Sequence, residues 1–198
     1  NDDDIVVFVD GDDWLPYDNI FENLNNFYNK HDVWMTYGGM LCWQGGTDVV
    51  QANPQNTHYP DEVHNQNAYR KDVWRASHLR SFKWSLYKDI EQSSQIDSET
   101  GKYYFHAEDL ATSFPCLEMC PKEKIGVLDF PAYMFNAEDS NRQRGVEREN
   151  NAGMRLEIEI RNEKPYSQLN YVNKIEPLLM GGLGNMMFQV ANCLALCI

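Results

Sequence analysis

Basic residues are scarce in this chain. Seventeen Lys and Arg stand against thirty Asp and Glu, and the formal net charge is −13. That balance argues against a nucleic-acid backbone as main partner, because such proteins use Lys and Arg clusters to displace counterions. A nucleotide ligand is not excluded, since a bound divalent cation can bridge carboxylates and a diphosphate. Cysteine is also sparse: Cys42, Cys116, Cys120, Cys193 and Cys197 are an odd set without a dense disulfide frame. Reduced thiols and a cytoplasmic setting are expected. Cys116/Cys120 and Cys193/Cys197 are spaced i,i+4, but no matching Cys/His set completes a zinc site, and they read as small core residues. Long apolar runs are missing too. The longest, Met186 to Ile198, contains Gln189 and Asn192 and is too short to span a bilayer, so no transmembrane segment is expected. No signal peptide, internal repeat or low-complexity tract is visible.

What is present suffices for a core. Hydrophobic residues make up 42% of the 198 positions and aromatic ones 13%, which argues against disorder. The most informative stretch is the opening. Ile5-Val6-Val7-Phe8-Val9 reads as a fully buried strand. Asp10, Asp12 and Asp13 follow where that strand must end. In open α/β sheets, ligands bind just beyond the carboxyl ends of strands. Acids crowded at such a point repel one another unless a cation or donors neutralise them. Hard cations such as Mn²⁺ and Mg²⁺ prefer oxygen ligands and share them with phosphates. A metal–phosphate site is the functional reading, and an acidic solvated turn is the plain one.

Pro16 suits a first helical position, and Ile20, Leu24 and Phe27 then repeat at helical spacing. Val33 to Trp43 is strand-like, with a bulge or close backbone approach at Gly38-Gly39. Gly45 to Glu62 reads as a long loop of the kind that forms lids or binding segments. Ser77 to Ile90 is expected to be an amphipathic helix, with Leu79, Phe82, Leu86 and Ile90 as its stripe and Ser77 as its N-cap. Tyr103 to Cys120 looks helical from about Ala107, interrupted or restarted at Pro115. Ile125 to Leu128 is a short strand and Phe130 to Ala137 an extended aromatic segment. Asn141 to Glu149 is a charged surface or linker helix. The apolar pattern is still running at Ile198 without a cap, and the chain is expected to be an excerpt of a longer protein.

A second acidic element, Glu108-Asp109, opens a helix, where carboxylates are favoured by the helix dipole. Its place in the order is informative. A strand ending in Asp10-x-Asp12, a long loop, His78-Leu79-Arg80-Ser81-Phe82, then Glu108-Asp109 resembles the family 2 inverting glycosyltransferases. Tyr104, Asp109, Pro115, Leu117, Glu118 and Met119 are similar to the D-x-A-x-x-x-P-x-L-E-M-like stretch of viral and bacterial members. The likeness covers about residues 1–140. It implies an α/β fold: the C-terminal part of a nucleotide-diphospho-sugar transferase (A-type) fold, a mixed sheet flanked by helices, with the N-terminal nucleotide-binding half missing.

The same resemblance implies roles. Asp12 and Asp10, with Asp13 assisting, would hold Mn²⁺ or Mg²⁺ against the donor diphosphate, with Asp10 near the ribose or diphosphate. Asp109 would be the general base on the acceptor hydroxyl, with Glu108 the alternative base or an acceptor contact. The metal would stabilise the departing nucleotide diphosphate, and the base must lie on the opposite side of the sugar carbon for inversion. His78 and Arg80 could reach the diphosphate or decorate an exposed helix face. Trp84 and Trp43 could stack on acceptor sugars or pack in the core. The partners implied are a nucleotide-diphospho-sugar donor and a glycan acceptor. A non-catalytic carbohydrate- or nucleotide-binding module of the same fold is the alternative. A metal-dependent nucleotidyltransferase is a third, but no Gly-rich basic loop precedes Asp10.

Family members reach their acidic motif some ninety residues in, whereas here it begins at Asp10. No residue is therefore assigned to base recognition, and the excerpt alone is expected to be inactive. Near the other end, Gly181-Gly182-Leu183-Gly184-Asn185-Met186-Met187-Phe188-Gln189 resembles the start of the α-1,2-fucosyltransferase family, with Met186 in place of Gln. Glycines at a strand-to-helix turn let the backbone approach a phosphate. The expected division is a partial transferase domain over 1–140, a linker over 141–176, and the start of a second, truncated domain over 177–198.

Overall fold

The computed structural model describes residues 1–46, 49–51, 57–137 and 146–169. Asn1–Gln168 form one compact unit. The Gly181–Gln189 motif and the expected second domain at 177–198 lie outside the described residues.

The fold is mixed α/β. Five strands, β1 (Ile5–Phe8), β2 (Met35–Trp43), β3 (Val49–Gln51), β4 (Arg80–Lys83) and β5 (Ile125–Asn136), form one mixed sheet. β4 lies antiparallel between β1 and β2, with Val6 opposite Phe82 and Met35 opposite Phe82 on its two sides. β3 pairs antiparallel with the far end of β2. β5 runs parallel to β2 from Met35–Ile125 to Trp43–Asn136. β1, β2 and β5 therefore point the same way, and their carboxyl ends meet at one end of the sheet, where the N-terminal end of β4 also lies.

α1 (Ile20–His31) lays Ile20, Leu24 and Tyr28 into the core as an i, i+4, i+8 stripe. The helix begins at Ile20, so Pro16 lies in the turn before it. β1 is half-buried along its length, and Val9 beyond it is exposed. The expectation of full burial fails because β1 pairs only with β4 among the described residues.

The segment read as one helix from Ser77 to Ile90 is instead strand β4 followed by the short helix α3 (Trp84–Tyr87). In β4 the polar residues Arg80 and Ser81 are buried and hydrogen-bonded. Ser81 Oγ lies 2.6 Å from Thr36 Oγ1 and 2.9 Å from the Tyr28 hydroxyl. Arg80 is 5% exposed. Four consecutive buried side chains, Leu79 to Phe82, are what an interior strand requires and an amphipathic helix does not permit.

The Gly38-Gly39 expectation holds. β2 and β5 lose register between Gly38 and Met40: Gly38 faces Leu128, but Met40 already faces Tyr133. The bulge takes up Asp129 to Ala132, which accommodates Pro131 within the strand. Gly39 adopts φ 75°, and a Cβ there would stand 2.3 Å from the Phe130 carbonyl oxygen. The two segments expected over Ile125–Leu128 and Phe130–Ala137 are thus one bulged strand.

α2 (Asp61–Asn65) lies in the segment between β3 and β4. α4 (Glu108–Met119) runs straight through Pro115. Proline leaves the carbonyl four residues earlier without its helical donor. That carbonyl, on Ala111, accepts a 2.8 Å hydrogen bond from Gln95 Nε2. Glu118 is buried and bidentate with buried Arg70, at 2.6 and 3.0 Å. α5 (Val146–Asn162) docks beside them. Leu156 and Ile160 are fully buried, Arg70 also bonds the Ile160 carbonyl, and Arg161 Nη1 donates to the carbonyls of Arg70 and Asp72. This helix falls where a connector was expected, yet it is packed into the first unit.

Replacing Gly39 by Ala forces both a left-handed Cβ and a clash with backbone. The expected loss is about 2–4 kcal/mol in urea unfolding. Gly11→Ala, where a Cβ meets nothing within 4 Å, is the control and should stay within about 0.5 kcal/mol.

Candidate functional site

The acidic turn is set by β5. Tyr133 is fully buried, and its hydroxyl sits between two points of the turn. It accepts from the Asp10 backbone N–H at 3.1 Å and donates to Asp13 Oδ2 at 2.7 Å. Asp13 Oδ1 accepts from the Asn136 backbone N–H at 2.8 Å, and Asn136 Nδ2 donates to the Asp12 carbonyl at 3.2 Å. Trp14 then pairs with Met134 through two backbone hydrogen bonds, at 3.2 and 2.8 Å. The turn is thereby clamped to the carboxyl end of β5.

The same clamp separates the three acids. Both oxygens of Asp13 are taken by Tyr133 and Asn136, so Asp13 shapes the turn rather than facing outward. Asp12 is exposed, and the Asp10 side chain is 48% exposed. Among the described residues, no group of three or more His, Cys, Asp or Glu is placed to hold a metal ion. Asp12 and Asp10 instead offer oxygen donors only, open to solvent. That fits a hard cation which takes one or two protein carboxylates and fills its shell with phosphate or water.

His78 and Arg80, which flank Leu79 at the start of β4, extend this cluster. The His78 ring is stacked on Tyr133 at 4.4 Å, and its Nε2 lies 3.6 Å from Asp10 Oδ2. Burial, and then the neighbouring guanidinium, push the His78 pKa down to about 3, so the ring is neutral. Arg80 has donors only and faces Nδ1 at 3.4 Å, which assigns the ring proton to Nε2, toward Asp10. The other arm of Arg80 donates to Asp109 Oδ2 at 2.9 Å. Desolvation raises the Asp10 pKa above the ordinary carboxylate value; Arg80 pulls it back, and Asp13, Asp109 and Asp12 push it up again. Asp10 therefore feels both the turn and Asp109.

Asp109 is the second residue of α4, in a first turn that favours negative charge. Ala107 before it adopts φ 57°, a left-handed conformation uncommon for a residue with a Cβ. Glu108 is exposed at the first position of the helix.

The structure thus brings Asp10, Asp12, Asp13, His78, Arg80 and Asp109 to one end of the sheet. Arg80 lies in the interior rather than on an exposed helix face. Trp43 is there as well, edge-to-face with Trp14 at 5.5 Å. Trp84 is not. It follows Lys83 at the opposite end of β4, its N–H bonded to the Asp4 carbonyl, about 13 Å along the strand from Arg80. The sequence reading also missed Tyr133, which lay in a segment marked only as aromatic and extended. Cavities of about 480 and 300 Å³ lie along residues 91–94 and 163–167 and along residues 66–71 and 161–165. No residue of the acidic turn lines either of them.

No protein-family model matches this chain, and no curated protein matches it. No helix among the described residues is long and apolar enough to cross a membrane.

Arg80→Gln leaves Asp10 and Asp109 without their shared cation. A loss of about 2 kcal/mol is expected in urea unfolding. Adding Asp109→Asn should recover part of it, a coupling of about 1 kcal/mol in the double-mutant cycle.

Proposed function

We propose that this chain carries part of a metal-dependent inverting glycosyltransferase, moving a sugar from a nucleotide-diphospho-sugar to a glycan hydroxyl. The observation that carries the reading is the continuous path Asp10–His78–Arg80–Asp109, which joins the acidic turn to the start of α4. Two carboxylate elements 99 positions apart in sequence, from Asp10 to Asp109, thereby share one buried cation.

Asp12, with Asp10, would hold Mn²⁺ or Mg²⁺, which when bound neutralises charge developing on a departing diphosphate. Asp13 and Tyr133 keep the turn in place. His78 turns its Nε2–H toward Asp10, 3.6 Å from Oδ2, and lines that side of the carboxylate. Arg80 bonds Asp109 through Oδ2, and the other oxygen, Oδ1, takes the proton of the acceptor hydroxyl. Arg80 holds Asp109 in one orientation during that step. Glu108, exposed beside it, contacts the acceptor. The reading places the protein in the cytoplasm, with the 177–198 segment as the start of a fucosyltransferase-like domain.

One observation favours a second reading. The Arg80–Asp109 pair occupies part of the carboxylate that a transferase needs as its base, as would suit a module that binds sugar nucleotide without turnover.

Mn²⁺ binding followed by electron paramagnetic resonance, with UDP and GDP as probes, tests the assignment. Asp12→Asn is expected to abolish nucleotide-dependent Mn²⁺ binding, and Asp109→Asn to leave it nearly intact. In a transfer assay of the full-length protein, Asp109→Asn should cost about a hundred- to ten-thousand-fold. Equal loss of Mn²⁺ binding in both variants contradicts the roles. Retained binding with no transfer by the unaltered full-length protein favours the second reading.

A further inference from the structure

The acidic turn ends in an exposed aromatic residue that is held unusually firmly. Trp14 is 38% exposed, although it is a large apolar side chain. Its backbone is fixed on both sides by the paired hydrogen bonds with Met134. Its ring meets Trp43 at an interplanar angle of 71°, so the two indoles form a corner. Trp43 is itself anchored, donating Nε1–H to the Gly46 carbonyl at 3.2 Å, and its own carbonyl accepts from Ala137 N–H. Two residues before Trp14 stands the exposed carboxylate of Asp12. An anchored aromatic ring, with an exposed acceptor-only carboxylate two residues away in the same turn, matches the chemistry of a pyranose ring, which has an apolar face of C–H groups and a rim of hydroxyl donors. An aliphatic or anionic ligand would lack one half of that match.

We propose that Trp14, backed by Trp43, is a stacking platform for a neutral pyranose ring, next to the acidic turn. Trp84, exposed at the far end of β4, has no such part. The proposal rests on the transferase reading and names the substrate contact that the reading leaves open. The aromatic face holds the ring and Asp12 orients its hydroxyls, so the sugar lies against the turn rather than in the cavities beside α5.

The test titrates the full 198-residue chain with cellobiose, lactose and chitobiose, with glycerol as a polyol without a ring, using isothermal calorimetry and saturation-transfer NMR. At least one disaccharide is expected to bind and glycerol is not. Trp14→Ala is expected to weaken binding about tenfold, at the upper end for one ring contact. Trp14→Phe should keep most of the affinity, while Trp14→Leu, which retains bulk but no ring, should lose it. Trp84→Ala should leave it unchanged. Circular dichroism and thermal midpoints confirm that each variant folds, and if Trp14→Ala does not, the Phe and Leu pair decides. The proposal is overturned if no disaccharide binds, if Leu serves as well as Phe, or if Trp84→Ala weakens binding as much as Trp14→Ala. A parallel Mn²⁺ titration separates the two levels. Asp12-dependent Mn²⁺ binding without saccharide binding removes the platform and leaves the transferase reading standing. Loss of both removes that reading as well.

Discussion

The pairing of β5 with β2 across the Gly39 bulge is the constraint on which the rest of the site depends. Without the bulge, the residues after Leu128 would continue in step with β2. With it, Tyr133 lands opposite Met40 and Asn136 opposite Trp43. Those two residues hold the acidic turn, Tyr133 through its hydroxyl and Asn136 through its backbone N–H and side-chain amide, and the backbone between them pairs with Trp14. A single backbone position that only glycine suits therefore sets where Asp10, Asp12 and Asp13 stand. The close approach of Gly39 to Phe130 leaves no room for another residue.

From that anchor the electrostatics follow in sequence. Tyr133 supplies a flat surface on which His78 stacks, and His78 passes its Nε2–H toward Asp10. Arg80 compensates the carboxylates from inside the sheet. A buried guanidinium is costly unless its donors are met, and here Asp109 and His78 meet them. The arrangement explains why a strongly acidic chain keeps a cation inside: three carboxylates of the turn and Asp109 lie too close together to share one end of a sheet unaided. A different device stabilises the far side of α4. The Arg70–Glu118 pair ties α4 to α5, so Glu118, which stood in the motif that suggested a transferase, is a structural residue.

Much of this was legible in the residues. The opening strand, the stripe of α1, the β2 bulge and the start of α4 follow from apolar period, glycine pairs and acidic first turns. The HLRSF stretch was not legible. Leu79, Phe82 and Leu86 sit at helical spacing, and Arg80 and Ser81 look like the polar face of a helix. They are instead interior groups of β4, made tolerable by partners remote in sequence: Thr36, Tyr28 and Asp109. No local pattern contains that information. The same holds for Tyr133, whose importance comes from lying opposite Asp10 after a register shift. The charge of Asn141 to Glu149 suggests a surface or linker helix, yet farther along α5 Leu156 and Ile160 are fully buried and Arg161 bonds the carbonyls of Arg70 and Asp72.

The central claim is that the acidic turn and the start of α4 form one site joined through Arg80. Paramagnetic broadening by Mn²⁺ measures this directly in the isotope-labelled chain. With the ion added at low stoichiometry, the backbone amide signals of Gly11 to Trp14, His78, Arg80, Glu108 and Asp109 should broaden together, and those of Trp84 to Tyr87 at the opposite end of β4 should stay sharp. Asp12→Asn should remove the whole effect at once. Broadening confined to the turn, with Glu108 and Asp109 as sharp as Trp84, would contradict a shared site.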